Sequence, residues 1–369
     1  MSVGQQDPAS TLRGPWLAGS AEPLTARYDA ALFDLDGVLY LQEEPIEFAG
    51  EGVAAARAAG LRIGFVTNNA SRRAPAVVAL LGKVSVDASE DEVVTAAQAS
   101  SALLAEALPA GALVLVVGAE GLAEEVAAAG LEPVRSADRK PAAVVQGYAR
   151  EVGWEQLAEA SVAIRAGALW VATNRDATIP SSRGPLPGNG SLVAALVTAL
   201  RREPDVVVGK PHPRLHQESV RRIGAQRPLV VGDRLDTDIA GAVNGGADSL
   251  LVLTGVTEPA DVLRATAGER PTYVAADLRG LSEPQPAVCV SAGTDASAGT
   301  ATCGGWAARA DGGTLRLRGE GGELDALRAL AVAAWTLPGA DTSDWSGPDG
   351  VAADDDAAGK ALRSLGLGA

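Results

Sequence analysis

The chain has few of the residues that build disulfide frameworks and metal clusters. Only 2 of its 369 residues are cysteine and 2 are histidine, so neither a disulfide scaffold nor a cysteine-rich zinc site is indicated. Aromatic residues make up 4% of the chain, which predicts cores of alanine, valine and leucine. No apolar run approaches the roughly 18 residues of a membrane span, and residues 1–19 lack the apolar segment of a secretory signal. We therefore expect a soluble, cytoplasmic protein.

Positive charge is also scarce. The formal net charge is -15 and the sequence pI is about 4.7, which disfavours nucleic acid or an anionic membrane as a partner. A hydrophobic content of 47% is enough for more than one core, and the length predicts two or three domains. This composition is typical of a soluble enzyme that acts on a small molecule.

What the chain does contain is a set of apolar runs that end in polar residues. ALFDLDGVLY at 31–40 reaches Asp34 and then Asp36, which lies on the same side of an extended backbone. In an open parallel sheet, ligands bind outside the carboxyl ends of the strands. Asp34 is therefore a candidate nucleophile and Asp36 a candidate proton carrier. An acidic pair after an apolar run is also typical of a solvated turn, so this motif alone does not decide the function.

Two further apolar runs end in groups that bind an anion. LRIGFVTNNA at 61–70 places Thr67 and Asn68 where the strand ends. DVVVGKP at 205–211 places the ammonium group of Lys210 in the same way. A lysine and a hydroxyl can neutralise and hydrogen-bond the oxygens of a phosphoryl group in its transition state. Both runs therefore predict contacts to a substrate phosphate.

The fourth run predicts a cation site. PLVVGDRLDTD at 228–238 ends in three acidic residues, Asp233, Asp236 and Asp238. Carboxylates held close together need a cation to offset their repulsion, and magnesium prefers hard oxygen ligands together with water and phosphate. We therefore expect magnesium as the cofactor, with the side chains of Asp34 and Asp233 among its ligands.

The motifs DLDGV, VTNN, GKP and GDRLDTD, in this order, resemble those of the haloacid dehalogenase (HAD) superfamily of phosphatases over residues 28–283. Their spacing resembles the subgroup whose cap domain lies between the second and third motifs. The resemblance implies magnesium-dependent hydrolysis of a phosphomonoester, in which Asp34 attacks phosphorus to form an aspartyl phosphate. Asp36 would act as general acid and base. Because a departing halide needs no proton, this second aspartate disfavours a dehalogenase.

The resemblance also implies roles for the remaining motif residues. Thr67, Asn68 and Lys210 would bind the phosphoryl group. The magnesium site would be formed by four aspartates, namely Asp34, Asp36 through its backbone carbonyl, Asp233 and, directly or behind the ligands, Asp238. Asp236 receives no definite role.

The predicted fold class is α/β. It consists of a doubly wound, Rossmann-like parallel-sheet core, an inserted α/β cap whose strands and helices alternate, and a small C-terminal α+β module. The predicted divisions are an N-terminal tail at 1–27, a catalytic core at 28–110 and 186–283, the cap at 111–185 and the accessory module at 284–369.

Substrate choice is expected in the cap, because a cap excludes water and contacts the leaving part of the substrate. Asn174 and Asp176 are interpreted as substrate-facing or hinge residues, with simple turn capping as the alternative. Arg183 and Asn189 are weaker candidates. By analogy the first substrate hypothesis is glycerol 3-phosphate, followed by 2-phosphoglycolate, a sugar phosphate or a nucleotide. A phosphometabolite-binding protein without turnover is the alternative of another class.

The two histidines are open to two interpretations. His212 and His216 lie four residues apart, a spacing that places both on one helix face, as in some metal pairs. No acidic residue lies between them for hydrolytic zinc chemistry. Ordinary packing is therefore the favoured interpretation.

The C-terminal module resembles the acetyltransferase-like segment of actinobacterial glycerol-phosphate phosphatases. A glycine-rich pyrophosphate loop of the RxxGxG kind is not recognised in it, which disfavours acetyl-CoA binding. An accessory packing or oligomerisation module is therefore preferred to a second, acetyl-transferring activity. A homo-oligomer formed through the cap or this module is a further expectation.

Overall fold

A computed structural model gives the fold of most of the chain. It describes residues 17–42, 44–179, 183–291, 299–342 and 344–368. Over these residues, no helix combines the length and apolar character that a membrane crossing requires. Most of the predicted N-terminal tail lies outside the described residues.

The described residues divide into two compact units. The larger comprises residues 23–257 and 275–283, and the smaller comprises residues 17–22, 258–274 and 284–368. The smaller unit therefore includes 258–274, which the predicted division places in the catalytic core. Residues 258–274 are held in the smaller unit by a buried contact, in which Trp335 Nε1 donates to the carbonyl of Val262 at 3.0 Å.

The larger unit alternates strands and helices. Its strands are β1 (Ala30–Phe33), β2 (Tyr40–Leu41), β3 (Glu44–Pro45), β4 (Arg62–Thr67), β5 (Val93–Thr95), β6 (Leu113–Val117), β7 (Glu132–Val134), β8 (Ala143–Gln146), β9 (Leu169–Ala172), β10 (Thr178–Ile179), β11 (Leu186–Pro187), β12 (Val206–Val207), β13 (Pro228–Gly232) and β14 (Asp248–Val252). Its helices are α1 (Leu24–Arg27), α2 (Ala49–Ala58), α3 (Ala74–Lys83), α4 (Ala96–Ala107), α5 (Glu120–Ala128), α6 (Trp154–Arg165), α7 (Asn189–Leu200), α8 (Pro213–Ile223) and α9 (Ala240–Gly245).

The main sheet of this unit places three of the four motifs side by side. Its parallel strands run in the order β14, β13, β1, β4 and β5, and Phe33 in β1 is in register with both Phe65 and Val231. The strands are continuous apolar runs because helices cover the sheet and bury both faces. The residues after β1, β4 and β13 therefore meet at one edge. The predicted doubly wound α/β core is confirmed.

The insert forms a second parallel sheet, in the order β12, β9, β8, β6 and β7. The predicted strands at its centre are present, the structure adds the edge strand β7, and it places the predicted strand before Lys210, β12, at the other edge of this sheet. Strand β7 is too short to give a clear apolar pattern, and it contains Pro133, which an edge strand tolerates.

The strand before Lys210 belongs to the insert's sheet, whereas the predicted division places residues from 186 onward in the core. Val206 pairs with Val171 of the insert, and Trp170 N donates to Asp205 Oδ2 at 2.8 Å. Val193 of helix α7 is buried in the same cluster of apolar side chains. The strand that carries Lys210 toward the main sheet thus extends the insert.

The smaller unit is an α+β module, as predicted. Its sheet follows the order β16, β17, β18, β19 and β20, with antiparallel pairs except for the parallel pair of β19 and β20. The boundary between the two units falls within β15 (Tyr273–Ala275). The elements of the smaller unit are β16 (Cys289–Ser291), β17 (Thr300–Cys303), β18 (Trp306–Asp311), β19 (Thr314–Gly319), β20 (Gly350–Ala353), α10 (Pro259–Arg264), α11 (Glu323–Trp335) and α12 (Asp356–Ser364).

Candidate active site

A buried lysine joins the motifs at the carboxyl edge of the main sheet. Lys210 Nζ lies 2.5 Å from Asp34 Oδ1 and 2.7 Å from Asp238 Oδ1, and it donates to the carbonyl of Val66 at 3.3 Å. Burial lowers the pKa of Lys210, but the charges of Asp238 and Asp34 outweigh this effect and raise the pKa overall. The lysine is therefore held in its charged form between two carboxylates.

Three carboxylates form a group that can hold a cation. Oxygen atoms of Asp34, Asp233 and Asp238 all lie within 4.8 Å of one another. Asp233 Oδ2 accepts from the N–H of Val256 at 2.7 Å, whereas its buried Oδ1 has no hydrogen-bond partner among the described residues. Such an oxygen, close to other carboxylates, is what a divalent cation would satisfy. The residues present therefore fit a magnesium ion.

The electrostatics of these carboxylates agree with that fit. Burial raises the pKa of Asp34 well above its usual range, and Asp238 and Asp233 add to the effect. Burial and the charge of Asp238 raise the pKa of Asp233 to about 7. Because a bound cation favours the ionised form of each carboxylate, cation binding would reverse these shifts.

The turn after Asp34 requires a glycine. Gly37 has a φ of +86°, and a Cβ atom on it would lie 2.3 Å from Asp233 Oδ2. Its N–H donates to the carbonyl of Tyr40 at 2.9 Å, which closes the turn behind Asp36. Asp36 is exposed at this turn, where a substrate and water can reach its carboxylate. The DxDG motif thus folds tightly against the acidic cluster.

The second motif lies beside Lys210. Thr67 is buried at the end of β4, and its Oγ1 accepts from the N–H of Asn69 at 3.1 Å. Asn68 Oδ1 accepts from Lys210 N at 2.8 Å, and Asn68 Nδ2 donates to Lys210 O at 3.1 Å and to Asp176 Oδ1 at 3.1 Å. The Asn68 side chain is thus engaged by protein groups. Its role as a substrate contact stays a prediction.

The end of the insert reaches the same loop. Asn174 Nδ2 donates to the carbonyl of Asn68 at 2.7 Å, and Asn174 Oδ1 accepts from the N–H of Asp176 at 3.2 Å. Asn189 Nδ2 donates in turn to the carbonyls of Asn174 at 2.8 Å and Gln146 at 3.2 Å. The structure therefore brings Asn174 and Asp176 to the site. The bond between them is a turn-capping bond, and each also hydrogen-bonds Asn68, so their role as substrate-facing or hinge residues stays a prediction.

An arginine that the sequence interpretation did not single out also lies here. Asp236 is exposed, and its Oδ2 accepts from Arg234 Nη2 at 2.7 Å, so it pairs with Arg234 and does not join the three-aspartate group. The N–H of Arg234 donates to Asp238 Oδ2 at 3.1 Å. The bond to Asp236, together with the charges of Asp176 and Asp233, raises the pKa of Arg234. In the sequence, its position directly after Asp233 is the signal that could have identified Arg234 as a residue near the site.

The histidines do not join the cation group. Among the described residues, the only cluster of three metal-ligating side chains is the aspartate group. His216 is buried against Gly241, and burial together with the charge of Lys210 lowers its pKa to about 4. Both observations favour the packing interpretation of His216.

Family models match three parts of the chain. Residues 31–132 match haloacid dehalogenase-like hydrolases, and residues 207–281 match a second, HAD-hydrolase-like model. Residues 303–367 match a GCN5-related N-acetyltransferase like domain. The two hydrolase matches together contain all four motifs, DLDGV, VTNN, GKP and GDRLDTD.

Similar proteins cover most of the chain. A D-glycerol 3-phosphate phosphatase of Mycobacterium tuberculosis is 46% identical over 326 residues, which are 86% of this chain and 89% of that protein. An acid sugar phosphatase of Staphylococcus saprophyticus is 35% identical, over 68% of this chain and 95% of that one. A 5'-nucleotidase of Bacillus subtilis is 38% identical, over 63% and 89%.

A solved structure is similar over nearly the whole fold. The crystal structure of a glycerol phosphate phosphatase from Mycobacterium tuberculosis in complex with magnesium superposes with a TM-score of 0.83 at 43% identity. It covers 94% of this chain and 99% of that chain. The similarity therefore extends over both units.

The acetyltransferase match corrects one reading of the sequence. Arg316, Gly319 and Gly321 have the RxxGxG spacing just before α11. The interpretation that the tail lacks such a loop was wrong. The motif overlaps the end of β19. Arg316 lies in the alternating segment TLRLRG, which predicts a strand and so conceals the loop motif.

Proposed function

The chain belongs to the family of haloacid dehalogenase-like hydrolases, and we propose on this basis that it is a magnesium-dependent phosphomonoesterase whose substrate is glycerol 3-phosphate. The family resemblance drawn from the motifs is confirmed. The observation that carries the reaction is the contact of Lys210 with both Asp34 and Asp238, beside an unpartnered oxygen of Asp233. The substrate is supported by the names of the similar proteins.

Two aspartates have different roles in the reaction, one as nucleophile and the other as general acid and base. Asp34, with one oxygen held by Lys210, attacks phosphorus, and the phosphorus–oxygen bond to the leaving alcohol breaks. Asp36 gives its proton to the departing alkoxide. As a carboxylate, it then takes a proton from the water that hydrolyses the aspartyl phosphate, which regenerates Asp34 and releases phosphate. Each aspartate thus returns to its starting state.

Charge on the transferring group is balanced by this chain's own residues and by a cation. Lys210 and Thr67 lie at the edge where phosphoryl oxygens would sit, and they provide an ammonium group and a hydroxyl. A magnesium ion held by Asp34, Asp233, Asp238 and the Asp36 carbonyl would supply further positive charge there.

A panel of small phosphomonoesters tests the substrate. We expect glycerol 3-phosphate to give a kcat/KM at least about tenfold above those of 2-phosphoglycolate, a hexose phosphate and a nucleoside monophosphate, a difference of roughly 1.4 kcal/mol in transition-state binding. A chelator is expected to stop phosphate release, and added magnesium to restore it. A different best substrate would replace only the substrate assignment. No release from any monoester would favour a phosphometabolite-binding protein without turnover.

Asn68 tests how Lys210 is positioned. Asn68→Ala removes two hydrogen bonds to the Lys210 backbone, each worth about 1 kcal/mol, so we expect kcat to fall roughly 30-fold with KM little changed. Asn69→Ala is the matched control, because Asn69 is exposed and its side chain accepts from the N–H and the hydroxyl of Ser71 in the same turn. Equal rates for the two variants would show that the hydrogen bonds from Asn68 to the Lys210 backbone are not needed for catalysis.

Location and assembly stay proposals. We propose that the enzyme works in the reducing cytoplasm, since Cys289 and Cys303 are both unpaired thiols. A homo-oligomer through the insert or the smaller unit remains a prediction, which the mass of the protein in solution tests.

A further inference from the structure

The glycine-rich loop of the smaller unit, residues 319–322, has the outward features of an anion site. It connects the end of β19 to α11. Because the residue before Glu323 is Gly322, no side chain at that position caps the N-terminus of α11. Free backbone N–H groups at such a helix N-terminus can bind a pyrophosphate, as the acetyltransferase likeness implies for acetyl-CoA. Whether this loop can do so depends on what its N–H groups and its arginine already bind.

The N–H group of Gly319 is occupied by a carboxylate of the same unit. It donates to Asp355 Oδ2 at 2.8 Å, while Asp355 Oδ1 accepts from the N–H of Ala358 at 2.8 Å in the first turn of α12. These bonds, the one from Ala358 first, lower the pKa of Asp355 and keep it charged. One anionic side chain thus links the glycine loop to the N-terminus of α12.

The arginine of the motif is engaged as well. Arg316 Nε donates to Asp354 Oδ1 at 2.6 Å, and Arg309 Nη2 lies 3.8 Å from Asp354 Oδ2. The N–H of Asp354 donates to the carbonyl of Leu317 at 2.8 Å, which continues the pairing of β19 with β20. The two parallel strands are therefore hydrogen-bonded up to the point where Asp355 binds Gly319.

The glycines of the loop are explained by packing within the unit. Gly319 has a φ of +115°, and a Cβ atom on it would lie 2.2 Å from the carbonyl oxygen of Gly305. A Cβ atom on Gly321, whose φ is +146°, would lie 3.1 Å from Trp306 Nε1, which itself donates to Gly322 O at 2.9 Å. The loop thus needs glycine to pack against the start of β18, whether or not a ligand binds.

We propose that the C-terminal unit does not bind acetyl-CoA, because the carboxylate of Asp355 already accepts from the N–H of Gly319 as a built-in anion and Asp354 already pairs with Arg316 of the motif. Glu323 and Asp325 in the first turn of α11 add negative charge where a pyrophosphate would bring its own. The unit keeps an acetyltransferase-like fold, and the hydrogen bonds of its loop to Asp355 connect β19 to the end of β20 and the start of α12.

Calorimetric titration of the full chain with acetyl-CoA tests the first half of the proposal. Saturating orthophosphate and magnesium are present throughout, so that the phosphate groups of the probe do not report binding at the aspartate cluster. We expect no saturable heat. Saturable binding of acetyl-CoA under these conditions would overturn the proposal.

Variants of Asp355 test the second half. Asp355→Ser keeps a side chain that caps α12 but is too short to reach Gly319, so we expect Tm to fall by roughly 3 °C, which corresponds to the loss of one such bond. Phosphate release should be unchanged. Pyrophosphate, added over saturating orthophosphate, is expected to recover part of the lost Tm in this variant.

The matched control is Asp356→Asn, which removes a neighbouring charge in the first turn of α12. We expect pyrophosphate to shift the Tm of this variant no more than that of the parent protein. An equal pyrophosphate effect on all three proteins, or an unchanged Tm for Asp355→Ser, would contradict the role given to Asp355.

Discussion

Asp34→Asn is expected to lower phosphate release on the order of 10⁴-fold or more, which is typical of removing a catalytic nucleophile. An amide is a poor nucleophile and cannot form the acyl phosphate, although its shape matches that of the carboxylate. Lys210 keeps a charged partner in Asp238, so the fold should persist. Initial rates with glycerol 3-phosphate measure the loss, and a thermal melt checks the fold.

Asp236→Asn is the matched control for that experiment. Asp236 belongs to the same acidic motif, yet it is exposed and paired with Arg234 outside the three-aspartate group. We expect this variant to keep most of the parent activity. A rate for Asp34→Asn near that of Asp236→Asn would remove Asp34 from the chemistry.

Lys210→Met is expected to lower both activity and stability. The side chain of Lys210 is only 4% exposed and faces two carboxylates, so its loss leaves Asp34 and Asp238 buried without their counter-charge. Breaking a buried ion pair in this way costs about 3–5 kcal/mol in the free energy of unfolding. Loss of transition-state charge stabilisation should lower kcat about 10²–10³-fold. Urea unfolding and initial rates measure the two effects.

Magnesium separates these two effects of Lys210→Met. Because a cation can replace the missing charge among the carboxylates, added magnesium is expected to raise the stability of the variant more than that of the parent protein. The rate should stay low, since the ammonium group also contacts the transferring phosphoryl group. Unchanged stability and rate in Lys210→Met would contradict the position of this lysine at the centre of the site.

The main sheet and its motifs could be predicted because each follows from local patterns. The runs before Asp34 and Asp233 are continuously apolar and bounded by polar residues, as buried parallel strands require. The insert was harder to delimit. Its edge strand at Val206–Val207 is two residues long and carries no periodic signal, so only its pairing with β9 shows that it extends the insert.

Contacts between distant residues could not be predicted from spacing. Asn68 and Lys210 are 142 positions apart, and an asparagine after a strand is equally suited to bind a ligand, a turn or a distant backbone. Its three bonds to Lys210 and Asp176 appear only when the insert is folded against the sheet. In the tail, the order of residues gives the RxxGxG motif, and only the fold shows Asp355 bound to it.

Trapping the phosphorylated enzyme tests most directly whether Asp34 attacks phosphorus. Asp36→Asn should still be phosphorylated by an aryl phosphate, whose good leaving group needs no proton, but it should hydrolyse the intermediate slowly. Acid quenching followed by peptide mass spectrometry is expected to place one phosphoryl group on Asp34, removable by hydroxylamine as an acyl phosphate. Phosphate on another residue, such as His212, or turnover without any phosphorylated protein, would contradict a nucleophilic Asp34.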